Sequence, residues 1–595
     1  MCGINGFNWE DTQLLKKMNR AIAHRGPDDE GIYTDGEVSL GNRRLAIIDL
    51  SPAAHQPMHN EDNTVWITYN GEIYNFKEIR NDLERKGHEF MSSSDTEVIL
   101  HGYEEYEKGI LEKLNGMFAF AVYDLNSGIL MLARDRFGIK PLYYYCEGGS
   151  FVFSSEIKGI LTHDIRRAPN NDMIFDYLVL GLADHVEETF FENIYRVMPG
   201  SYLTFDIKKK EITKEKWYSL RKRVGADVQR IRDSFFRSVR YRLVSDVPVG
   251  SCLSGGIDSS SIVCVMKKIA PDSEIKTFSA VFPGKSIDES IYIDEIKKKT
   301  SVLSAITSPR AEDLVQDLTD LIQTQEEPFF GTSMYAQYAV MRLAHENGMK
   351  VLLDGQGGDE LFAGYSFYMS SYFLELFMTL KWKTLLSELL HFLKKHDIRP
   401  VPVILSMLPK SALRNARLKS SWIGREFFDS HFRTRKNEYV LTRMLIDTLT
   451  YSTIPVLLRY EDKNAMRWSV ETRLPFLDHE FVEEVLFLPP EYKIRKGLTK
   501  YLFREAMKGI LPETIRERTD KIGFATPEEE WLTSGLFIDM AETIINSNSF
   551  KKRIYWDWKR VREDFEKYKR KEKNISYAFW KWINLELWLR MFIDE

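Results

Sequence analysis

The 595-residue chain is poor in cysteine, has no excess of positive charge and contains no long apolar run. Its four cysteines, Cys2, Cys146, Cys252 and Cys264, are too few and too scattered for a disulfide framework. They fit a reducing cytosol in which a free thiol stays reactive. A formal net charge of −5 argues against a nucleic-acid binder that works by neutralising phosphates over a broad face. The N-terminal residues lack the basic and apolar regions of a secretory signal, so a cytoplasmic location is expected. The most hydrophobic stretch after the midpoint, Tyr372 to Leu408, is broken by Lys381, Lys383, Lys394 and Lys395. It cannot cross a bilayer uninterrupted, and a buried helical core is favoured there over an interfacial helix. There is no internal repeat and no Walker A loop. Gly284-Lys285-Ser286 imitates the end of one, but the first glycine of that pattern would fall at Ser279.

With 44% apolar and 28% charged residues the composition is that of an ordinary globular protein, too long for one core. From Val65 to Glu156 the pattern is that of antiparallel strands. Met117–Asp124 turns at 125–128 into Ile129–Arg134, and Leu142–Cys146 turns at Glu147-Gly148-Gly149 into Phe151–Ser155. Apolar runs on successive strands predict a sheet covered on both faces. A charged stretch, Lys208 to Arg223, holds the expected boundary, giving domains over 1–210 and 225–595. Beyond it, strand-like Val247–Leu253, Thr277–Phe282 and Lys350–Leu353 alternate with helical Ser259–Lys268, Asp288–Lys299 and Tyr335–Glu346. That rhythm predicts a parallel, doubly wound sheet. The remainder, from Leu361, reads as mostly helical.

Cys2 follows the initiator Met. Removal of that Met would leave a thiol and an α-amine of pKa about 8 on one residue, a built-in nucleophile and base. Position alone would leave Cys2 an incidental small residue. Its context is His24-Arg25-Gly26-Pro27-Asp28, Arg43-Arg44-Leu45, Tyr69-Asn70-Gly71-Glu72-Ile73-Tyr74-Asn75 and Ser94-Asp95-Thr96-Glu97. An Arg suits an α-carboxylate, an acid suits an α-ammonium, and an amide with a backbone N–H suits an oxyanion. Taken singly, Asn-Gly also reads as a hairpin turn and Asp95 as a helix N-cap.

Together these motifs resemble the class II, N-terminal-nucleophile (Ntn) glutamine amidotransferases, closest to the asparagine synthetase B family. The resemblance implies an α+β glutaminase domain, an αββα sandwich, with Cys2 as nucleophile. It assigns Arg44 to the glutamine carboxylate, Asn70 and Gly71 to the oxyanion hole, and Glu72 and Asp95 to the glutamine ammonium.

Leu253-Ser254-Gly255-Gly256-Ile257-Asp258-Ser259 lies between a strand and a helix, where glycines admit a phosphate and the helix N-terminus favours an anion. Asp258 would repel phosphate unless Mg²⁺ lay between them. The third strand runs into Asp354-Gly355-Gln356-Gly357-Gly358-Asp359-Glu360. With Glu327-Pro328, Lys463-Asn464-Ala465-Met466 and Glu471 to Asp478, these segments resemble the PP-loop synthetase domain of the same family, an α/β parallel sheet with a helical C-terminal extension. The resemblance implies ATP at Leu253, Ser254, Gly255, Gly256, Asp258, Ser259, Val281, Asp354 and Gly355, Mg²⁺ at Asp258 and Asp359, and Lys463 as the cation that neutralises the adenylate. It covers Met1 to about Pro527. Lys500-Tyr501-Leu502 and Asn584 to Trp588 match bacterial or archaeal members, and the Trp-rich tail, Tyr555 to Phe592, reads first as a packed helix and second as a membrane-surface element.

The implied activity is glutamine hydrolysis coupled to adenylation and amidation of aspartate. The implied small-molecule substrates are glutamine, ATP and aspartate, with no nucleic acid and no membrane span, and a homodimer is admitted. One departure stands out. Asparagine-making members commonly read Ser-Gly-Glu-Gly where this chain has Asp354-Gly355-Gln356-Gly357. Either a nearby acid such as Asp354 compensates, or the acceptor is another carboxylate, on a sugar or peptide. An amide ligase with a vestigial glutaminase and a nucleotide-sensing interaction protein are the rival readings.

Overall fold

In a computed structural model, residues 2–594 are described except 224, 226, 397–421, 434–439, 521, 522 and 524. Twelve strands build the N-terminal half: β1 (Cys2–Phe7), β2 (Asp29–Thr34), β3 (Ser39–Arg44), β4 (Met58–His59), β5 (Val65–Ile73), β6 (Gly116–Asp124), β7 (Ile129–Arg134), β8 (Tyr143–Glu147), β9 (Ser150–Ser154), β10 (Ile194–Arg196), β11 (Ser201–Asp206) and β12 (Glu211–Lys216). They form two six-stranded antiparallel sheets, β10-β8-β9-β1-β3-β2 and β12-β11-β7-β6-β5-β4. The hairpins read from the sequence are β6–β7 and β8–β9. Ile4, Leu40 and Phe153 of one sheet meet Ala119, Leu132 and Phe205 of the other in a fully buried layer. On the outer face of the second sheet, Ile67, Phe118 and Phe120 pack on Leu83, Val98 and Ile99 of the helices Phe76–Arg85 and Asp95–Tyr106. Helix Thr12–Ala21 covers the first sheet. This is the expected αββα sandwich, with strands buried on both faces.

The chain then changes to a parallel sheet of β13 (Val249–Cys252), β14 (Lys276–Ala280), β15 (Leu303–Thr307), β16 (Val351–Leu353) and β17 (Glu471–Arg473), in the order β15-β14-β13-β16-β17. Strands β13, β14 and β16 were legible as apolar runs. β17 was not, because Glu471, Thr472 and Arg473 are polar residues that are nonetheless buried.

Helices fill the rest. In the stretch from Tyr372, the helices Ser366–Met378 and Trp382–His396 bury Tyr372, Phe373 and Leu376, while positions 397–408 lie outside the described residues. No helix among the described residues is long and apolar enough to cross a membrane. The last helix, Ser576–Phe592, buries Trp580, Trp582 and Trp588. The Trp588 indole donates to the Glu326 carbonyl at 2.7 Å and that of Trp580 to Phe329 at 2.9 Å. The Trp-rich tail is therefore core, and two of its indoles, Trp580 and Trp588, find acceptors on the segment Glu326–Phe329.

Candidate active sites

Pairing of β1 with β3 sets Cys2 opposite Arg44. Burial pushes the Cys2 thiol up, against the pull of the Leu45 backbone and Arg44. The Cys2 N–H donates to Asn70 Oδ1 at 3.0 Å, and Asn70 Nδ2 is buried with no acceptor among the described residues. A buried, unspent donor beside a thiol is what an oxyanion hole requires. Asn70 and Gly71 lie inside β5 rather than in a turn. Gly71 is held to its residue type by close approach: a Cβ there would stand 2.2 Å from the Met117 carbonyl of β6.

Arg44 is almost buried and donates to the carbonyls of Ile48 (3.3 Å), Asp49 and Ser51 (3.3 Å), shaping the loop beyond β3. Asp95 opens its helix behind the N-cap Ser94, and its Oδ2 accepts from Tyr69 Oη at 2.8 Å and the Ile73 N–H at 2.9 Å. Burial raises the carboxyls of both Asp95 and Glu72, and Asp95 raises Glu72 further, while Arg473 opposes. A pocket with two buried acids that disfavour each other's charge gains by accepting a cation such as an α-ammonium.

In the C-terminal half, the turn Leu253 to Gly256 joins β13 to the helix Ile257–Ile269. Ser259 Oγ accepts from the Ser254 N–H at 3.1 Å and lies 3.1 Å from Ser254 Oγ. Gly255 has φ +76°, and a Cβ would stand 2.7 Å from that of Tyr292, so both conformation and space demand glycine. Leu253 and Val281 sit at the ends of neighbouring parallel strands, the Leu253 N–H donating to Phe278 and the Val281 N–H to Thr307. Lys500, Arg504 and Arg518 border a cavity over this turn, with Glu289 and Asp520, both ion-paired with Arg518, on the same wall. Arg518 donates to the Gly255 carbonyl at 3.0 Å.

The Asp354–Gly358 turn lies against the same helix, with the Cβ position of Gly355 only 3.2 Å from that of Asp258. Asp258 and Asp359 both pair with Lys500, the latter at 2.6 Å. Two carboxylates facing one small space beside a phosphate-type turn form the hard-oxygen donor set that Mg²⁺ takes. The residues present therefore fit that ion.

Lys463 is buried, ion-paired with Glu326 and 5.4 Å from the Tyr143 ring centroid. The lysine beside Asp258 and Asp359 is Lys500, noticed in the sequence only as part of Lys500-Tyr501-Leu502. Sequence reasoning also gave no role to Arg25 or Arg473, although both stand in quoted motifs. Arg25, 0% exposed, donates to the Cys2 carbonyl at 3.1 Å and pairs at 2.8 Å with both Glu156 and Asp462. Arg473 donates to Glu72 at 2.9 Å and Glu471 at 2.5 Å. A small cavity of about 20 Å³, room for one water-sized molecule, lies nearby among Tyr143, Arg196, Pro455, Arg459, Asp462 and Lys463.

An N-terminal-nucleophile sandwich with a buried thiol, joined through buried ion pairs to a parallel sheet bearing a phosphate-type turn, defines a glutamine amidotransferase coupled to a synthetase. The description "Asparagine synthase" matches residues 230–590, and "Glutamine amidotransferase domain" matches residues 1–218. The chain belongs to the asparagine synthase family. It is 34% identical to glutamine-hydrolysing asparagine synthetase 1 of Bacillus subtilis over 89% of this chain and 88% of that one. Asparagine synthetase 3 of the same organism is 30% identical over 87% and 86%. The amidase chyE of Penicillium rubens is 28% identical over 95% of each chain.

Proposed function

We propose that the chain makes asparagine from aspartate, glutamine and ATP, releasing glutamate, AMP and pyrophosphate. The observation that carries this reading is Arg25, which holds the Cys2 backbone with one edge and Asp462 of the synthetase half with another. Through it the two chemistries share one buried structure.

In this reading the Cys2 thiol attacks the glutamine amide, its proton passing to the α-amine freed by loss of Met1. Asn70 Nδ2 and the Gly71 N–H receive the developing oxyanion, while Arg44, Glu72 and Asp95 hold the α-carboxylate and α-ammonium. Water then releases glutamate. In the second site the turn Ser254–Ser259 binds ATP, the aspartate carboxylate attacks the α-phosphorus, and pyrophosphate leaves. Asp258 and Asp359 would hold Mg²⁺, which when bound screens the phosphate charge. Lys500 is the ammonium placed to face the same phosphates. Ammonia crosses by the cavity beside Lys463, where confinement keeps it from bulk water, and displaces AMP. Lys463, which the resemblance assigns to the adenylate, also borders that cavity.

A second reading is favoured by Gln356 and by the likeness to a relative named amidase: the same half-reactions on a different carboxylate. ATP–pyrophosphate exchange tests the two. Exchange that depends on aspartate supports the first; exchange absent with aspartate but present with another carboxylate supports the second.

A further inference from the structure

One side-chain cluster in the glutaminase half takes no part in the reactions proposed above. Among the described residues, one group of three His, Cys, Asp or Glu side chains has a ligand atom from each within 4.8 Å of the others: His88, His101 and Glu104. His88 lies between the helices Phe76–Arg85 and Asp95–Tyr106, directly after Gly87 (φ +102°). His101 and Glu104 stand one turn apart on the second helix, on one face. The two imidazole rings are 5.2 Å apart between centroids. His101 is buried and the other two are half-buried, so an ion has a way in from solvent.

The charges around the rings favour a cation. His101 Nδ1 lies 2.7 Å from Glu104 Oε2, and His101 Nε2 lies 3.6 Å from Glu97 Oε1 and 4.0 Å from Glu61 Oε1. His88 Nε2 is 3.5 Å from Glu105 Oε2. Against these four carboxylates stands Lys86, 2.7 Å from Glu105. Burial works to lower the His101 ring, but Glu104 and Glu97 outweigh it and push it up to about 9. A dication answers the same field with twice the charge of the proton it displaces.

Two imidazole nitrogens and one carboxylate oxygen suit Zn²⁺, whereas Mg²⁺ and Ca²⁺ take oxygen ligands. Tetrahedral ligands about 2.0–2.2 Å from one ion stand ~3.3 Å apart, so His101 Nδ1 and Glu104 Oε2 must part by roughly half an ångström and His88 must swing inward. The outer supports are already in place. Glu97, which faces the other nitrogen of His101, accepts from the Met91 and Ser92 N–H groups at 2.7 Å each and from Ser92 Oγ at 2.5 Å. Asn60 Nδ2 donates to Glu104 Oε1 at 2.8 Å. A held carboxylate on the second ring nitrogen is how zinc sites in proteins fix their histidines. Glu97 closes the Ser94–Glu97 motif, and the glutamine reading gives it no role.

We propose that His101 Nδ1, a ring nitrogen of His88 and Glu104 Oε2 bind Zn²⁺ or a cation of its class, with water in the fourth position and Glu97 orienting His101. The ion ties the loop at 86–94 to the helix that opens with Asp95. Ser93 of that loop donates to Asp49 Oδ2 at 2.7 Å, and the Asp49 carbonyl accepts from Arg44. The tie therefore ends among the residues proposed to hold glutamine.

The test uses the full chain carrying Cys2→Ala, so that this thiol does not take the metal, with excess Mg²⁺ to fill the Asp258–Asp359 pair. Zn²⁺ is titrated in competition with a chromophoric chelator into this parent and into H88A, E104Q and E97Q made on it. The parent is expected to hold one Zn²⁺ that H88A and E104Q bind more than about a hundredfold more weakly, and E97Q about 10–100-fold more weakly, the worth of an outer partner. Co²⁺ in its place should give the visible bands of a four-coordinate ion in the parent and not in H88A. Zn²⁺ should raise the melting temperature of the parent and not that of H88A, while melts without metal report that each variant folds. Equal zinc stoichiometry and affinity in the parent and H88A, or a melting shift that H88A and E104Q keep, would overturn the proposal and leave the group as ion pairs alone.

Discussion

Arg473, on the edge strand of the parallel sheet, donates to Glu72 of the glutaminase strand β5 at 2.9 Å, and both side chains are almost completely buried. The same arginine passes its backbone carbonyl to the N–H of Asp354, at the entry to the second nucleotide-side turn. One residue thus touches the acid assigned to the glutamine ammonium and the backbone of the proposed ATP site. Burial raises the Glu72 carboxyl well above its usual range, and Arg473 is the largest influence opposing that rise.

Arg473→Met should therefore raise the KM for glutamine by at least about tenfold while ammonia-dependent synthesis changes much less. It should also destabilise the chain by about 3–5 kcal/mol, the usual result of leaving a buried charge without its partner. Steady-state kinetics with each nitrogen source, beside a denaturant melt, checks both.

Asn70→Ala removes the buried donor beside Cys2. Glutamine hydrolysis should fall by about 10²–10³ in kcat, the range for loss of one oxyanion donor. Synthesis from added ammonia should survive. An equal loss with both nitrogen sources would mean that Asn70 supports the fold and not the oxyanion.

Lys500 stands between Asp258 and Asp359. Lys500→Met should abolish pyrophosphate release and leave glutamine hydrolysis measurable. Chelation of Mg²⁺ should have the same split effect, stopping pyrophosphate formation while glutamate continues to appear. Parallel assays of the two products decide it.

Glu156 gives a pH test of the domain interface. Burial works to raise its carboxyl, but Lys158, Lys463 and His24 outweigh that and hold it well below the usual range. A depressed carboxyl contributes stability that is complete above the unfolded value of about 4.3 and lost as pH falls through the folded value. The gap in melting temperature between wild type and Glu156→Gln should therefore be constant from pH 8 to about 5 and close only in stronger acid. A gap that closes near pH 6 would point to His24 instead.

Much of this was legible in the sequence because strands and loops announce themselves locally. Hairpins β6–β7 and β8–β9 follow from apolar runs around Asn/Gly turns, and the ATP turn from glycines between a strand and a helix. The cross-domain pairs were not legible. Arg25, Arg473 and Asp462 are polar residues whose burial depends on which distant segment covers them, and periodicity carries no record of that. Lys463 and Lys500 look equivalent as isolated lysines. Only tertiary packing directs Lys463 to Glu326 and Lys500 to Asp258 and Asp359.

The most direct measurement follows nitrogen from one site to the other. The full chain is given amide-¹⁵N glutamine, ATP, Mg²⁺ and aspartate in the presence of excess unlabelled ammonium, with Cys2→Ala in parallel. Glutamate, pyrophosphate and asparagine should form together, the asparagine amide should carry ¹⁵N well above the bulk ammonium fraction, and Cys2→Ala should make only unlabelled asparagine. Asparagine labelled no more than the bulk ammonium, or glutamate appearing with no asparagine at all, would contradict the account of two coupled sites acting on aspartate.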